Sequence, residues 1–467
     1  MDTFDVVIRG GTLVTAAGAF QADLGIAQGA VAALGRDLAG REIVDATGKL
    51  VLPGAVDPHV HLEMSTGATV SSDDWQTGTI AAACGGTTTV IDFAKAAPGQ
   101  TLFAAFQARR AAAEGRAAID FGLHMTLSRA DEATLRQVPG LIAAGLTSFK
   151  TYTTYEGFRL RDEELLAAFD VVGRAGGLVT VHAENDALVQ WCQRQLLAAG
   201  QVAPLSHPQS RPPAAEAEAV ERALALAEVA GAPVYVVHVS TARGADAIER
   251  ARARGQAAYG ETCPQYLLLT AAEYTRPGFV GAQFVCSPPL RTADDNRALW
   301  RALAAGTLQT VATDHCPFNY HGQKDLGRAR FTDIPGGLPG VEARLALLYT
   351  YGVGKGRLTL ERWVDVACTA PARIFGLYPR KGTLAPGADA DVVIFDPQKR
   401  VTLSRAILHE KVDYTPYEGI DLFGYPVLTI SRGVVVMCDG RYVGPQGHGR
   451  YLARGLPQFE RGGVLVR

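Results

Sequence analysis

At 467 residues the chain is longer than one ordinary domain and implies a large domain with a smaller companion. It is 48% hydrophobic and 20% charged, so a sizeable core can form; a net charge of −2 with no block of like charge argues against nucleic acid or an anionic membrane as partner. No apolar run reaches the length of a membrane span, and the opening MDTFDVVIRGG lacks a basic stretch followed by an apolar one, so a cytoplasmic protein is expected. The seven cysteines are scattered and form no C-x-x-C pair, which predicts reduced thiols and leaves any metal to nitrogen and oxygen ligands.

In chain order, TFDVVIRGGTLVTAAG through EIVDATGKLV reads as short strands broken by glycine turns. From about Val51 to Ala370 the pattern changes to apolar strands alternating with alanine-rich helices such as LFAAFQARRAAAEG, AEAVERALALAEVAG and ADDNRALWRALAAG. Eight strands are predicted: AVDPHVH, TTTVIDF (87–93), AIDFGLHMTL (118–127), SFKTYTT (148–154), LVTVHAE (178–184), VYVVHVS (234–240), AAYGETCP (257–264) and QTVATDHC (309–316). Strands alternating with helices give a parallel sheet, and eight such units suggest closure. After Ala370 short strands return in ADADVVIFDP and VLTISRGVVVMCDGRYVG. The expected fold is therefore α/β: a (β/α)8 TIM barrel over 52–375, with a small β-sandwich built from 1–51 and 376–467. The irregular tail after Gly447 reads as an arm that could pack on another subunit.

LPGAVDPHVHLE, Leu52 to Glu63, places His59 and His61 one residue apart after an apolar run. On a strand, residues two apart share a face, so Asp57, His59 and His61 are expected to point one way. Lys150 falls on the fourth strand, His182 on the fifth, His238 on the sixth and Asp314 at the end of the eighth. All lie at or near the C-terminal ends of strands, where barrel enzymes carry their chemistry. Singly, a buried histidine is more often a satisfied core residue than a ligand; four histidines, a lysine and an aspartate on one rim point to a metal. A protonated ammonium cannot ligate a cation, but burial beside positive charge favours the neutral amine, which can capture CO2 as a carbamate. With Lys150 carboxylated, the set predicts two divalent ions, His59, His61 and Asp314 on one, His182 and His238 on the other, and Lys150 bridging. Imidazole and carboxylate ligands suit zinc best, with manganese, cobalt or nickel as substitutes.

These motifs, with SFKTYTTY, VTVHAEN, VYVVHVS, ETCPQYLLLT, SPPLR, ATDHCPF, IPGGLPGVEARLALLYTYGVGKGRL and PRKGTLAPGADADVVIFDP, occur in the order found in the dihydropyrimidinase and hydantoinase family of the amidohydrolase superfamily, which the chain resembles over nearly its whole length. The resemblance implies opening of a cyclic amide, a 5-substituted hydantoin or a 5,6-dihydropyrimidine, to an N-carbamoyl amino acid by a hydroxide shared between two metals. Metal binding brings the pKa of water from about 15.7 toward about 7. Asp314 would then shuttle a proton to the leaving nitrogen. Tyr155 resembles the family's oxyanion donor. Ser287 resembles the serine whose main chain pairs with the ring imide, and Gly336 occupies a position where relatives usually carry asparagine. A backbone contact survives that change, although glycine loosens the loop. Met64 and Phe158, in the segments LEMSTGATVSSDDW and TYEGFRL, are expected to wall a pocket for a ring substituent. The family commonly forms homotetramers.

Dihydroorotases usually carry arginine two residues after His-x-His; Glu63 stands there and would repel an anionic substrate. Allantoinases carry an N-E-P-G-R-like continuation that LEMSTG does not match. A non-catalytic assembly homologue would have lost ligands, and every ligand position is filled. A hydrolase of noncyclic amides is disfavoured by the tyrosine and serine segments, by analogy.

Overall fold

The computed structural model describes residues 4–461 and 464–466; the extreme ends of the expected sandwich lie outside them. Eight parallel strands form one sheet in sequential order: β1 (Ala55–Asp57), β2 (Thr87–Lys95), β3 (Asp120–Thr126), β4 (Ser148–Tyr152), β5 (Leu178–His182), β6 (Val234–Val236), β7 (Ala258–Thr262) and β8 (Thr310–Val311). Each corresponds to one of the eight predicted runs. β4, β5 and β7 are buried along their whole length or nearly so, which explains continuous apolar character rather than alternation. Helices Leu102–Ala113, Pro213–Ala230 and Ala293–Ala305 match the three alanine-rich runs.

β1 and β8 are too short to form a ladder, so the barrel closes by other means. Val60 and His315 make a parallel bridge, and the Asp57 carboxylate accepts from the Thr313 hydroxyl at 2.6 Å. The fully buried Arg344 donates to Val56 O and Val311 O at 3.0 and 2.8 Å, joining the two strands with one guanidinium. Farther down the barrel Phe375, just beyond the helix Ala370–Ile374, packs on Tyr235 and His124.

The chain ends build two further sheets. One holds four strands from residues 4–45; the other joins seven strands, with Leu52 beside Val393 and strand Val392–Thr402 beside Asp421–Ser431. A separate core of Ile8, Leu13, Ile26, Val51, Val392 and Ile430 draws on both sheets. The fold is the expected barrel with a sandwich made from both ends. Among the described residues, no helix is long and apolar enough to cross a membrane. All seven cysteines are unpaired.

In the tail, residues 448–458 lie on the chain's own barrel: Arg450 O accepts from Phe121 N, Leu452 N donates to Phe121 O, and Arg454 N donates to Gly145 O; the two glycines of FERGG lie outside the described residues. Leu452 and the Arg454 side chain are buried, and that burial explains why the segment stays.

Candidate active site

β1 ends at Asp57, so His59 and His61 stand on the extension beyond it, where the chain runs beside the segment following β8. The expectation that Asp57 joins them on one face fails. Its carboxylate turns to Thr313 and the Arg344 side because a fully buried carboxylate needs donors. The two histidines still converge: His59 Nε2 and His61 Nε2 each lie 3.2 Å from Asp314 Oδ1.

A second pair faces them. His182 Nδ1 lies 2.9 Å from His238 Nε2, and the His59 and His238 rings are 5.5 Å apart. Lys150, 1% exposed, points its ammonium between the rings of Phe93 and Tyr152, 5.3 Å from each centroid. Among the described residues no carboxylate comes within ion-pair distance of it. The structure therefore brings all six predicted residues to the C-terminal mouth of the barrel.

Burial pushes the pKa values of His59, His182 and His238 down, leaving neutral imidazoles, the form that ligates metals. Burial also lowers Lys150, to about 8, against the pull of Asp314 and Glu261. Asp314 behaves oppositely: burial would raise it, but His59, His61 and Lys150 hold it at about 2. His59 Nε2 is buried without a hydrogen-bond partner. A cluster of neutral imidazoles with an orphaned nitrogen, beside an ionised carboxylate and an easily deprotonated lysine, is a donor set that fits divalent cations.

Supporting residues that the motifs did not single out fix these rings. His59 Nδ1 bonds Glu261 Oε1 at 2.7 Å, which turns Nε2 toward Asp314; Glu261 also accepts from the His238 N–H and the Tyr235 hydroxyl. Burial raises Glu261 to about 7, although Lys150 works against it. His182 Nε2 bonds Glu184, and Glu184 is paired with buried Arg211 at 2.5 Å. The sequence signal for both was an acidic residue inside an apolar strand or just past it, since acids are rarely buried unpaired. Arg211 carried no such signal. His124, also in the barrel, spends both ring nitrogens on Ser148 and Pro58 O and is a core histidine.

Three site residues hold backbone conformations that favour glycine: Tyr155 at φ +75°, His238 at +41° and Asp314 at +51°. Such conformations cost of order 1–3 kcal/mol each, persist where the surrounding structure over-determines them, and cluster at active sites. Tyr155 stands over His182 at 5.1 Å, with the Arg211 guanidinium 5.1 Å from its ring. Burial raises its pKa to about 12, keeping the proton in place. Gly336 lies across from Ser287: a Cβ built on it would sit 3.5 Å from Ser287 Oγ. Phe158 packs on Tyr152 at 5.2 Å and carries Lys95 Nζ 3.7 Å from its centroid. Met64 is half-buried in a loop pinned by two bonds to Ser71. Glu63 is not free to repel a substrate, because Arg116 pairs with it at 2.6 Å. The case against an anionic substrate rests instead on the missing arginine at that position.

Residues 50–436 match the Amidohydrolase family. The chain is 45% identical over 461 residues to a D-hydantoinase of Streptomyces coelicolor (strain ATCC BAA-471 / A3(2) / M145), covering 97% of this chain and 98% of that protein. Among solved structures it superposes on a dihydropyrimidinase from Brevibacillus agri NCHU1002 with a TM-score of 0.95 and 44% identity, covering 97% and 99% of the two chains. A D-hydantoinase from Bacillus sp. AR9 gives the same TM-score at 46% identity and the same coverage. The barrel, the site at its mouth and these matches agree, and the chain belongs to the amidohydrolase family, within its hydantoinase and dihydropyrimidinase group.

Proposed function

We propose that the protein is a metal-dependent cyclic amidase that opens 5-substituted hydantoins and 5,6-dihydropyrimidines to N-carbamoyl amino acids. The observation that carries this reading is the convergence of His59, His61, Lys150, His182, His238 and Asp314 on one buried mouth, with the Tyr155 ring against His182 beside them. His59, His61 and Asp314 would hold one divalent ion and His182 and His238 a second, with Lys150, carboxylated by CO2, between them. When bound, such ions supply Lewis acidity and bring a water's pKa near neutrality; zinc suits these donors best, with manganese, cobalt or nickel as substitutes.

The chain's own groups do the rest. Asp314, ionised at neutral pH, accepts a proton and passes it to the ring nitrogen as the C–N bond breaks. Tyr155, neutral because burial keeps its proton on, donates to the oxygen that gains charge. Ser287 and Gly336 recognise the ring through backbone groups. Neither the N–H nor the C=O of either residue has a protein partner among the described residues, whereas the carbonyls on both sides of each are bonded. Phe158, against Tyr152, and Met64 wall the space for the ring substituent.

A D preference among hydantoins follows the curated relatives, and allantoinase-like or dihydroorotase-like activity is the second reading. We further propose a homotetramer, as the resemblance implies. Exposed Leu188, Trp191 and Leu205 would offer an apolar face for it. A cytoplasmic location is supported by seven unpaired cysteines. The test is hydrolysis of dihydrouracil and of both enantiomers of a 5-aryl hydantoin by metal-loaded enzyme. Ring opening of at least one is the predicted result; a metal-loaded, folded protein inert toward all three would reject the reading.

A further inference from the structure

Lys324 is a charged residue with no surface at all, and the reaction as proposed makes no use of it. It lies in a single turn, Lys324–Arg328, between β8 and the IPGGLPG segment. Its Nζ donates to three backbone carbonyls: Val285 O at 2.7 Å, Gly337 O at 2.8 Å and Pro335 O at 3.0 Å. An ammonium has three N–H donors and a neutral amine two, so all three carbonyls are satisfied only by the charged form. Burial pushes the lysine down to about 7, with Cys286 and Cys316 drawing the other way.

These carbonyls belong to two separate loops. Val285 precedes Ser287 after β7, whereas Pro335 and Gly337 flank Gly336 after β8. The loops also meet directly, through Gly337 N and Val285 O at 3.0 Å. Gly337 itself has φ +152°, and a Cβ there would come 2.3 Å from Cys316 O, so that strand of backbone is wedged in place. From the other side His207 Nε2 bonds Cys286 O at 2.8 Å, and the Tyr266 hydroxyl bonds Pro288 O at 2.7 Å. The result is a pattern: every carbonyl next to Ser287 and Gly336 in sequence is tied, while among the described residues the backbone groups of those two have no protein partner.

We propose that Lys324 is a positioning residue for substrate binding: its ammonium sets the spacing between the free backbone groups of Ser287 and Gly336, which clasp the imide edge of a cyclic substrate. This rests on the cyclic-amidase reading. The lysine touches neither the substrate nor the residues proposed to bind metal. Its loss should therefore weaken binding of ground state and transition state alike, which raises KM and leaves kcat nearly unchanged.

The test compares full-length, metal-loaded wild type with Lys324→Met and Lys324→Gln on dihydrouracil and a 5-aryl hydantoin, measuring KM, kcat, bound metal and thermal unfolding. Misplacing two backbone hydrogen bonds predicts a KM rise of roughly tenfold or more in Lys324→Met. kcat should stay within about threefold, as uniform binding loss requires, and metal content should be unchanged. Lys324→Gln, which keeps two N–H donors, should fall between it and wild type. A folded variant with unmoved KM and a lowered melting temperature would overturn the proposal and leave the lysine purely structural; failure of both variants to fold would do the same. A wild type inert toward both rings would instead reject the parent reading and this one with it.

Discussion

Glu261→Gln isolates the electrostatics of the proposed centre with almost no change in shape. The carboxylate accepts from His59 Nδ1 at 2.7 Å, the Tyr235 hydroxyl at 2.9 Å and the His238 N–H at 3.1 Å, in full burial. Glutamine can keep its carbonyl oxygen toward His59 and His238. Its amide then faces Tyr235, whose hydroxyl can donate instead to Thr310 Oγ1, 2.5 Å away. No partner is orphaned, so the loss is the charge itself. Charge-assisted hydrogen bonds are roughly twice as strong as neutral ones, which puts the loss at about 1–1.5 kcal/mol on the His59 side. Removing partners of metal-binding histidines costs about 10–100-fold in metal affinity, and a conservative change belongs at the low end, near tenfold. Titrating zinc into metal-free protein against a competing chelator reads this directly. An affinity within twofold of wild type, in a variant with wild-type melting, would refute the claim that Glu261 orients and polarises His59 for a cation.

Arg211→Met leaves Glu184 buried beside His182 without its cation, a change that costs about 3–5 kcal/mol of stability and should show in denaturant melts. Burial would raise Glu184, but Arg211 and His182 hold it at about 2, below its usual 4.5. Its stabilisation is therefore complete above about pH 4.5 and lost as pH falls toward 2, and the variant should lose that acid-dependent component in melts run against pH. Arg344→Met removes the guanidinium that joins β1 to β8 and should destabilise the barrel by about 3 kcal/mol or more; unchanged unfolding would show that the Val60–His315 bridge and the Asp57–Thr313 bond close it without the guanidinium. Gly336→Asn adds a side chain where the nearest heavy atom to a new Cβ is 3.5 Å away. It should fold, gain about 0.4–1 kcal/mol from a stiffer unfolded chain, and shift the kcat/KM ratio between dihydrouracil and a 5-aryl hydantoin a few-fold; an unmoved ratio would make the position passive.

Much of this architecture was legible in the sequence because its signals are local. Eight apolar runs separated by helical patterns specify a parallel barrel, and the mouth of a barrel collects whatever its strands carry at their C-terminal ends. His59 and His61 were found for a partly mistaken reason. They share a target, yet they stand beyond β1, and Asp57 closes the barrel rather than joining them. Glu184 and Glu261 could have been suspected as acids in apolar surroundings. Arg211, Arg344 and Lys324 could not, because each acts across tens or hundreds of residues on backbone or buried charge, and nothing in their local sequence predicts burial. Glu63 shows the reverse error: its charge was visible, while its neutralising partner Arg116 was 53 residues away.

The central claim is a cyclic amidase whose two metal ions share a carboxylated Lys150. Its most direct measurement is dihydropyrimidine and hydantoin ring opening by Lys150→Ala, with metal present, before and after adding a short-chain carboxylic acid. The account predicts that the variant loses ring opening and bound metal, and that the added carboxylate restores part of both by occupying the space the lysine leaves. A Lys150→Ala enzyme that keeps full turnover and its metal without any added acid would contradict it.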